Sequence, residues 1–176
     1  GKEGAPAPPP PPGPFAPLEA GGDYLHHLRT SAQGLARKRG VVYLDAMGGA
    51  GGGILGQVLK RLEAPVELRE LHPLPHPLFY GVAPDPRPEH LRTLRLLLRE
   101  AKPPALGLAL DGDADRLGVY LPGGEALPGD QALARLREAA QGREVEALGE
   151  GAYRFPWHLE EPDPFLAALL LMGVLL

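Results

Sequence analysis

The run Ala105-Leu106-Gly107-Leu108-Ala109-Leu110, followed at once by Asp111-Gly112-Asp113-Ala114-Asp115-Arg116, narrows the folds open to this chain more than any other stretch. A short uncharged apolar run bounded by turn residues predicts a buried strand. The acidic loop therefore falls where a strand ends, the usual place for a site in an open α/β sheet. Asp111, Asp113 and Asp115 alternate, so their carboxylates repel and push one another toward protonation. A hard divalent cation such as Mg²⁺, Mn²⁺ or Ca²⁺ relieves that conflict, because it takes oxygen ligands. Arg116 adds planar, always-charged donors suited to a phosphate oxygen. An EF-hand loop needs a bidentate Glu at its twelfth position; counting from Asp111 that position is Pro122, which excludes it. A solvated acidic turn is the bland alternative. The strand before, the strand-like Leu117-Gly118-Val119-Tyr120-Leu121 after, and the arginine in register favour the metal loop.

The segments on either side supply the rest of an α/β pattern. Asp23 caps a predicted helix in which Tyr24, Leu25, Leu28 and Leu35 recur at helical spacing until Gly40. Arg37, Lys38 and Arg39 suit the negative end of its dipole. Val41 to Leu44 reads as a strand ended by Asp45, and the turn Gly48 to Gly53 opens a helix through Leu62. That turn matches neither a Walker loop nor a dinucleotide fingerprint, so close packing of helix on strand is the better reading. Val66 to Leu71 alternates as a strand does, and Glu89 to Ala101 places Leu91, Leu94, Leu97 and Leu98 on one side of a helix. His72 and His76 flank Pro73-Leu74-Pro75, which forbids the helix a zinc pair would need. Beyond the acidic loop, Gly123-Gly124-Glu125 reads as a hairpin-like turn, and Gly129-Asp130 caps a helix from Gln131 to Ala140. Gly149 to Arg154 reads as a loop, and Asp163 to Leu171 as a buried helix.

Composition sets broad limits. With 44% hydrophobic and 23% charged residues, the chain has ordinary globular usage. A net charge of −4 lacks the basic face of a nucleic-acid binder. Without cysteine, neither a disulfide scaffold nor a thiolate metal site is open to it, and a cytoplasmic setting is expected. Phe165 to Leu176 is the longest apolar run and falls short of the ~20 residues of a membrane span. Residues 1–22, with the proline run Pro8 to Pro12, read as a linker or loosely ordered terminus. One serine and no asparagine, amid abundant Leu, Pro, Gly and Arg, suggest a GC-rich, thermophilic source.

Asp111 to Arg116, preceded by Gly107-Leu108-Ala109-Leu110 and followed by Leu117-Gly118-Val119, resembles the metal-binding loop of the α-D-phosphohexomutases, the phosphoglucomutase and phosphomannomutase family. Val41 to Gly53 resembles the first strand and glycine-rich turn of that family's second domain, and Phe79 to Leu91 the segment before its next helix. Leu127 to Leu133 is similar to the start of the third domain. The likeness then thins: Gly149-Glu150-Gly151-Ala152 keeps Gly-Glu of a sugar-contacting Gly-Glu-x-Ser-Gly loop but lacks the serine.

The resemblance implies a mixed sheet flanked by helices over residues 23–122, a three-layer α/β domain, followed by an incomplete second α/β domain over 123–176. It implies Mg²⁺ on Asp111, Asp113 and Asp115, catalytic contact of Arg116 with a phosphoryl group, and sugar contact by Glu150. The expected substrates are a hexose phosphate and a hexose bisphosphate, with neither nucleic acid nor membrane as partner. The family's nucleophile motif, Thr/Ser-Ala-Ser-His-Asn-Pro, does not occur; Ser31 sits in Thr30-Ser31-Ala32-Gln33. Nothing resembles the family's fourth, phosphate-holding domain, and the apolar end at Leu176 reads as an incomplete chain. The alternative is a non-catalytic relative that binds a metal or a sugar phosphate.

Overall fold

A computed structural model describes residues 22–32 and 38–176. The proline-rich stretch 1–21 and Leu35 of the first predicted helix lie outside the described residues.

Four strands form the first sheet: β1 (Gly40–Asp45), β2 (Val66–Leu71), β3 (Ala105–Leu110) and β4 (Leu117–Tyr120). Their spatial order is β2-β1-β3-β4, with β1 parallel to both neighbours and β4 antiparallel to β3. This is the mixed sheet flanked by helices that the resemblance implies. The parallel pairs need crossovers, which α2 (Ile54–Arg61) and α3 (Arg92–Glu100) provide. The antiparallel return to β4 needs only the short acidic loop.

Alternation along the strands divides the core into two layers. Val42, Leu44, Leu106, Leu108, Leu110, Leu117 and Val119 face one side, where α1 (Gly22–Ser31), α2 and the carboxy-terminal α5 (Pro164–Leu175) pack. Tyr43, Ala109 and Tyr120 face the other, against Leu91, Leu94 and Leu98 of α3 and its entry. A Cβ on Gly107 would lie 2.3 Å from Leu98 Cδ1, so a hydrogen at this position is what lets α3 settle on β3.

After β4 the chain turns through Pro122 into α4 (Gly129–Ala139), then a three-stranded antiparallel sheet ordered β5 (Glu146–Gly149), β6 (Ala152–Phe155), β7 (Leu159–Pro162). Buried side chains of this second part, Ala132, Leu136, Tyr153 and Phe155, join the same apolar cluster as β1, β3 and α5. Helix α5 is apolar on every side because it is covered on every side: Phe165 to Met172 are all buried. Asp163, 2% exposed, caps it through hydrogen bonds from the Phe165 and Leu166 N–H groups at 2.9 and 3.0 Å. Tyr24 Oη of α1 donates to the same carboxylate at 3.0 Å, and His158 Nε2 lies 2.6 Å from it. No helix among the described residues is long and apolar enough to cross a membrane.

Several boundaries differ from the sequence expectation. Lys38 and Arg39 lie outside helix, in the approach to β1, so they do not serve the dipole of α1. The helix expected from Glu89 begins at Arg92, because Leu91 leaves helical geometry (φ −114°, ψ 40°) and separates it from a 3₁₀ turn at Pro88–His90. Helix α4 starts at Gly129, with Pro128 at the cap position, so Asp130 sits in the first turn instead of capping it. The predicted loop Gly149 to Arg154 is a hairpin joining β5 and β6. Strand β7 has no apolar alternation to reveal it; Leu159-Glu160-Glu161-Pro162 is an exposed edge strand.

Candidate metal centre

The acidic loop joins β3 to β4, at the end where β1 and β3 run out. Neighbouring backbone holds it closely. The Ala50 N–H donates to the Gly112 carbonyl at 3.0 Å, and the Gly112 N–H to the Pro84 carbonyl at 3.2 Å. A Cβ on Gly49 would sit 2.5 Å from the Gly112 oxygen, inside any allowed contact. The glycine-rich turn after β1 thus buttresses the acidic loop, a contact beyond the helix-on-strand packing expected of Gly48 to Gly53. Ala114 adopts a left-handed conformation at φ 58°, which folds the loop back on itself.

Asp111 is almost wholly buried, at 3% exposure, whereas Asp113 and Asp115 face solvent. Each offers a carboxylate oxygen, and the three oxygens lie within 4.8 Å of one another. Asp111 Oδ1 accepts from the backbone N–H groups of Asp115 and Arg116 at 3.0 and 3.1 Å, and Oδ2 from Arg116 Nε at 2.7 Å. Burial alone would raise the Asp111 carboxyl, but these hydrogen bonds, those from Arg116 foremost, outweigh it and hold it below its ordinary value. Asp115 is pushed the other way, to about 6, by desolvation, then by its hydrogen bond with Asp111 and the charges of Asp111 and Asp113. Three hard oxygen donors converge within 4.8 Å, two of them open to solvent; that donor set fits a divalent cation. Asp111, Asp113 and Asp115 would hold it.

Arg116 and Glu150, 34 positions apart in sequence, line one cleft together with Asp85, Arg87, Tyr120 and Tyr153. Glu150 sits at the tip of the β5–β6 hairpin, and the Leu117 N–H donates to the Gly151 carbonyl at 2.9 Å. The hairpin is thereby tied to the residue that follows Arg116. Asp85 and Arg87 carry no role in the sequence reading, where Phe79 to Leu91 is only a lead-in to a helix. In the fold, Arg87 Nε donates to Asp85 Oδ2 at 2.6 Å, and Asp85 Oδ1 lies 3.6 Å from the Arg116 guanidinium. The one local hint is an acid and a base spaced two apart between prolines. His72 and His76 do not share a ligand: His72 Nδ1 lies 2.9 Å from the buried Asp45 carboxylate, and His76 stacks on Tyr80.

The fold and site together define an α/β domain with an acidic, metal-binding type of loop at a strand end and an arginine beside it. Residues 22–124 match the family model described as phosphoglucomutase/phosphomannomutase, alpha/beta/alpha domain II, and the chain belongs to that family. It is 38% identical over 93 residues to the phosphoglucomutase of Neisseria gonorrhoeae, covering 52% of this chain and 20% of that one. Against the phosphoglucomutase of Neisseria meningitidis serogroup B it is 36% identical over 113 residues, or 64% of this chain and 24% of the relative. A crystal structure from Thermus thermophilus, provisionally named a phosphomannomutase, aligns with a TM-score of 0.74 and 29% identity over 87% of this chain and 46% of that one. A phosphoglucomutase/phosphomannomutase family protein from Burkholderia thailandensis shares the fold, with a TM-score of 0.67 at 20% identity, over 86% of this chain and 43% of that one. The chain therefore spans about a quarter or less of the curated relatives and under half of the solved structures.

Proposed function

We propose that this chain carries the metal-binding part, and part of the sugar-binding part, of a phosphohexomutase. That reaction moves phosphate between C1 and C6 of a hexose phosphate through a phosphoserine and a hexose bisphosphate. The observation that carries the reading is the convergence of the Asp111, Asp113 and Asp115 oxygens within 4.8 Å on the loop after a buried strand. Mg²⁺ held there supplies charge neutralisation at a phosphoryl oxygen. Arg116 presents its guanidinium to the same phosphoryl group, and Glu150 accepts hydrogen bonds from sugar hydroxyls across the cleft. Phosphoryl transfer asks mainly for such positioned charge, because its transition state spreads negative charge over the phosphoryl oxygens. The phosphoserine belongs to a segment outside these residues, since Ser31 lies in no matching motif. Hexose phosphates, and not nucleic acid or membrane, are the partners, in a cytoplasmic setting that retains such charged sugars.

A second reading, a non-catalytic relative that binds metal or sugar phosphate, draws on Ala152 standing where the family's loop carries serine. The mutase reading requires the cation, and so does a relative that binds metal. Calorimetric titration with MgCl₂ tests this: the wild-type chain takes up one equivalent, and Asp113→Asn weakens uptake at least roughly tenfold while the thermal melt is kept. Unchanged uptake in the variant would remove the assignment. Glucose 1,6-bisphosphate separates the two readings when the chain is supplied with the missing segments of a relative: turnover favours the mutase.

A further inference from the structure

Arg116 stands among three carboxylates and uses them unequally. Its Nε makes a short hydrogen bond to Asp111 at 2.7 Å, lies 3.9 Å from Asp115, and its Nη1 is 3.6 Å from Asp85 Oδ1. At 3.6 Å the Asp85 oxygen is attracted to the guanidinium without being hydrogen-bonded. It is also buried and without any hydrogen-bond partner, one of two such side-chain atoms among the described residues, the other being His158 Nδ1. Its companion oxygen is anchored by Arg87, which in turn reaches Glu89 at 3.5 Å, so the Asp85 carboxylate is fixed in place with one oxygen aimed at Arg116. A buried carboxylate oxygen left unsatisfied is costly, and such an atom calls for an explanation.

Asp111 presents the opposite imbalance, with three donors already on its two oxygens. On the metal reading above, a divalent cation held by the triad leaves Asp111 with less negative charge to offer Arg116, and two positive groups compete for one carboxylate. Asp85 is the one carboxylate outside the triad within 4 Å of that guanidinium among the described residues. We propose that Asp85 is a positioning residue for Arg116: on cation binding it receives the guanidinium that Asp111 gives up, and so holds it facing the cleft that Asp85, Arg116 and Glu150 line.

The test is a double-mutant cycle on the 176-residue chain, read by MgCl₂ calorimetry. Asp85→Asn keeps the shape and removes the charge, so Arg116 stays on Asp111 and Mg²⁺ affinity falls roughly three- to tenfold. In an Arg116→Ala background the same substitution changes affinity by less than about twofold, because no guanidinium needs a second seat. An equal loss in both backgrounds overturns the proposal, since Asp85 then acts only through its own field on the cation. Unchanged affinity in Asp85→Asn also overturns it. The Nε–Hε resonance of Arg116 in the wild-type chain gives a readout that survives poor folding of any variant: it shifts on saturation with Mg²⁺, and a resonance that stays put sinks the inference. Failure of the wild-type chain to take up Mg²⁺ is a distinct result that removes the metal reading and this inference together.

Discussion

Asp115 carries the electrostatic conflict of the acidic loop. Its carboxyl is raised to about 6 from the ordinary aspartate range near 3.8, with desolvation first and the Asp111 and Asp113 charges behind it. A carboxyl raised on folding means that the folded state binds the proton more tightly than the unfolded one, so its ionisation opposes folding. That opposition is absent below about pH 4 and complete above about pH 6. In metal-free protein, Asp115→Asn therefore melts at a higher temperature than wild type at pH 7, and the gap closes as pH falls to about 4; thermal melts across that window check it. Mg²⁺ must displace the same proton, so its uptake weakens as pH drops through about 6, which calorimetry at several pH values detects. Asp163 is the contrasting case, a buried carboxylate fully paired by Tyr24, His158 and two helix N–H groups. Asp163→Ala strips the cap from α5 and strands those donors, at a cost of about 2–4 kcal/mol, measurable by urea unfolding.

At the scale of elements, local chemistry was readable and long-range pairing was not. Ala105 to Leu110 announces its strand because every residue is small or apolar, and the structure buries all six. Asp111, Asp113 and Asp115 announce a cluster of carboxylates because their conflict lies within five residues, and the structure brings their oxygens within 4.8 Å of one another. The meeting of Arg116 with Asp85, or with the Glu150 hairpin, depends on chain separations of 31 and 34 residues that no spacing rule encodes. Strand β7 was missed because two of its four residues are charged and three are exposed, and the break at Leu91 because only its backbone angles reveal it. The glycine turn after β1 shows how one element disciplines another. Gly49→Ala forces a methyl against the Gly112 carbonyl, so it lowers stability by about 1–3 kcal/mol and weakens Mg²⁺ uptake as well. A variant that melts lower yet binds Mg²⁺ as wild type does would show that the turn props the fold without shaping the loop.

In the whole molecule, the division expected between residues 122 and 123 falls in the turn after β4, while buried side chains from both parts share one apolar cluster. Helix α5 contacts α1, α4 and strands β3, β4 and β6, and Leu166, Leu169 and Leu171 are each 1% exposed or less. Each of those leucines contributes roughly 1.5–3 kcal/mol by burial. Residues 22–122 produced alone therefore expose the part of one sheet face, over β3 and β4, that α5 covers; a broad, non-cooperative melt is expected by circular dichroism, against a sharp one for the whole chain. The bond from the Leu117 N–H to the Gly151 carbonyl has a consequence for anyone transplanting this chemistry. A designer who grafts the six-residue acidic motif onto another scaffold leaves behind the clamp that sets its distance to the opposing carboxylate. The portable unit is a frame reaching from the glycine turn to the far hairpin.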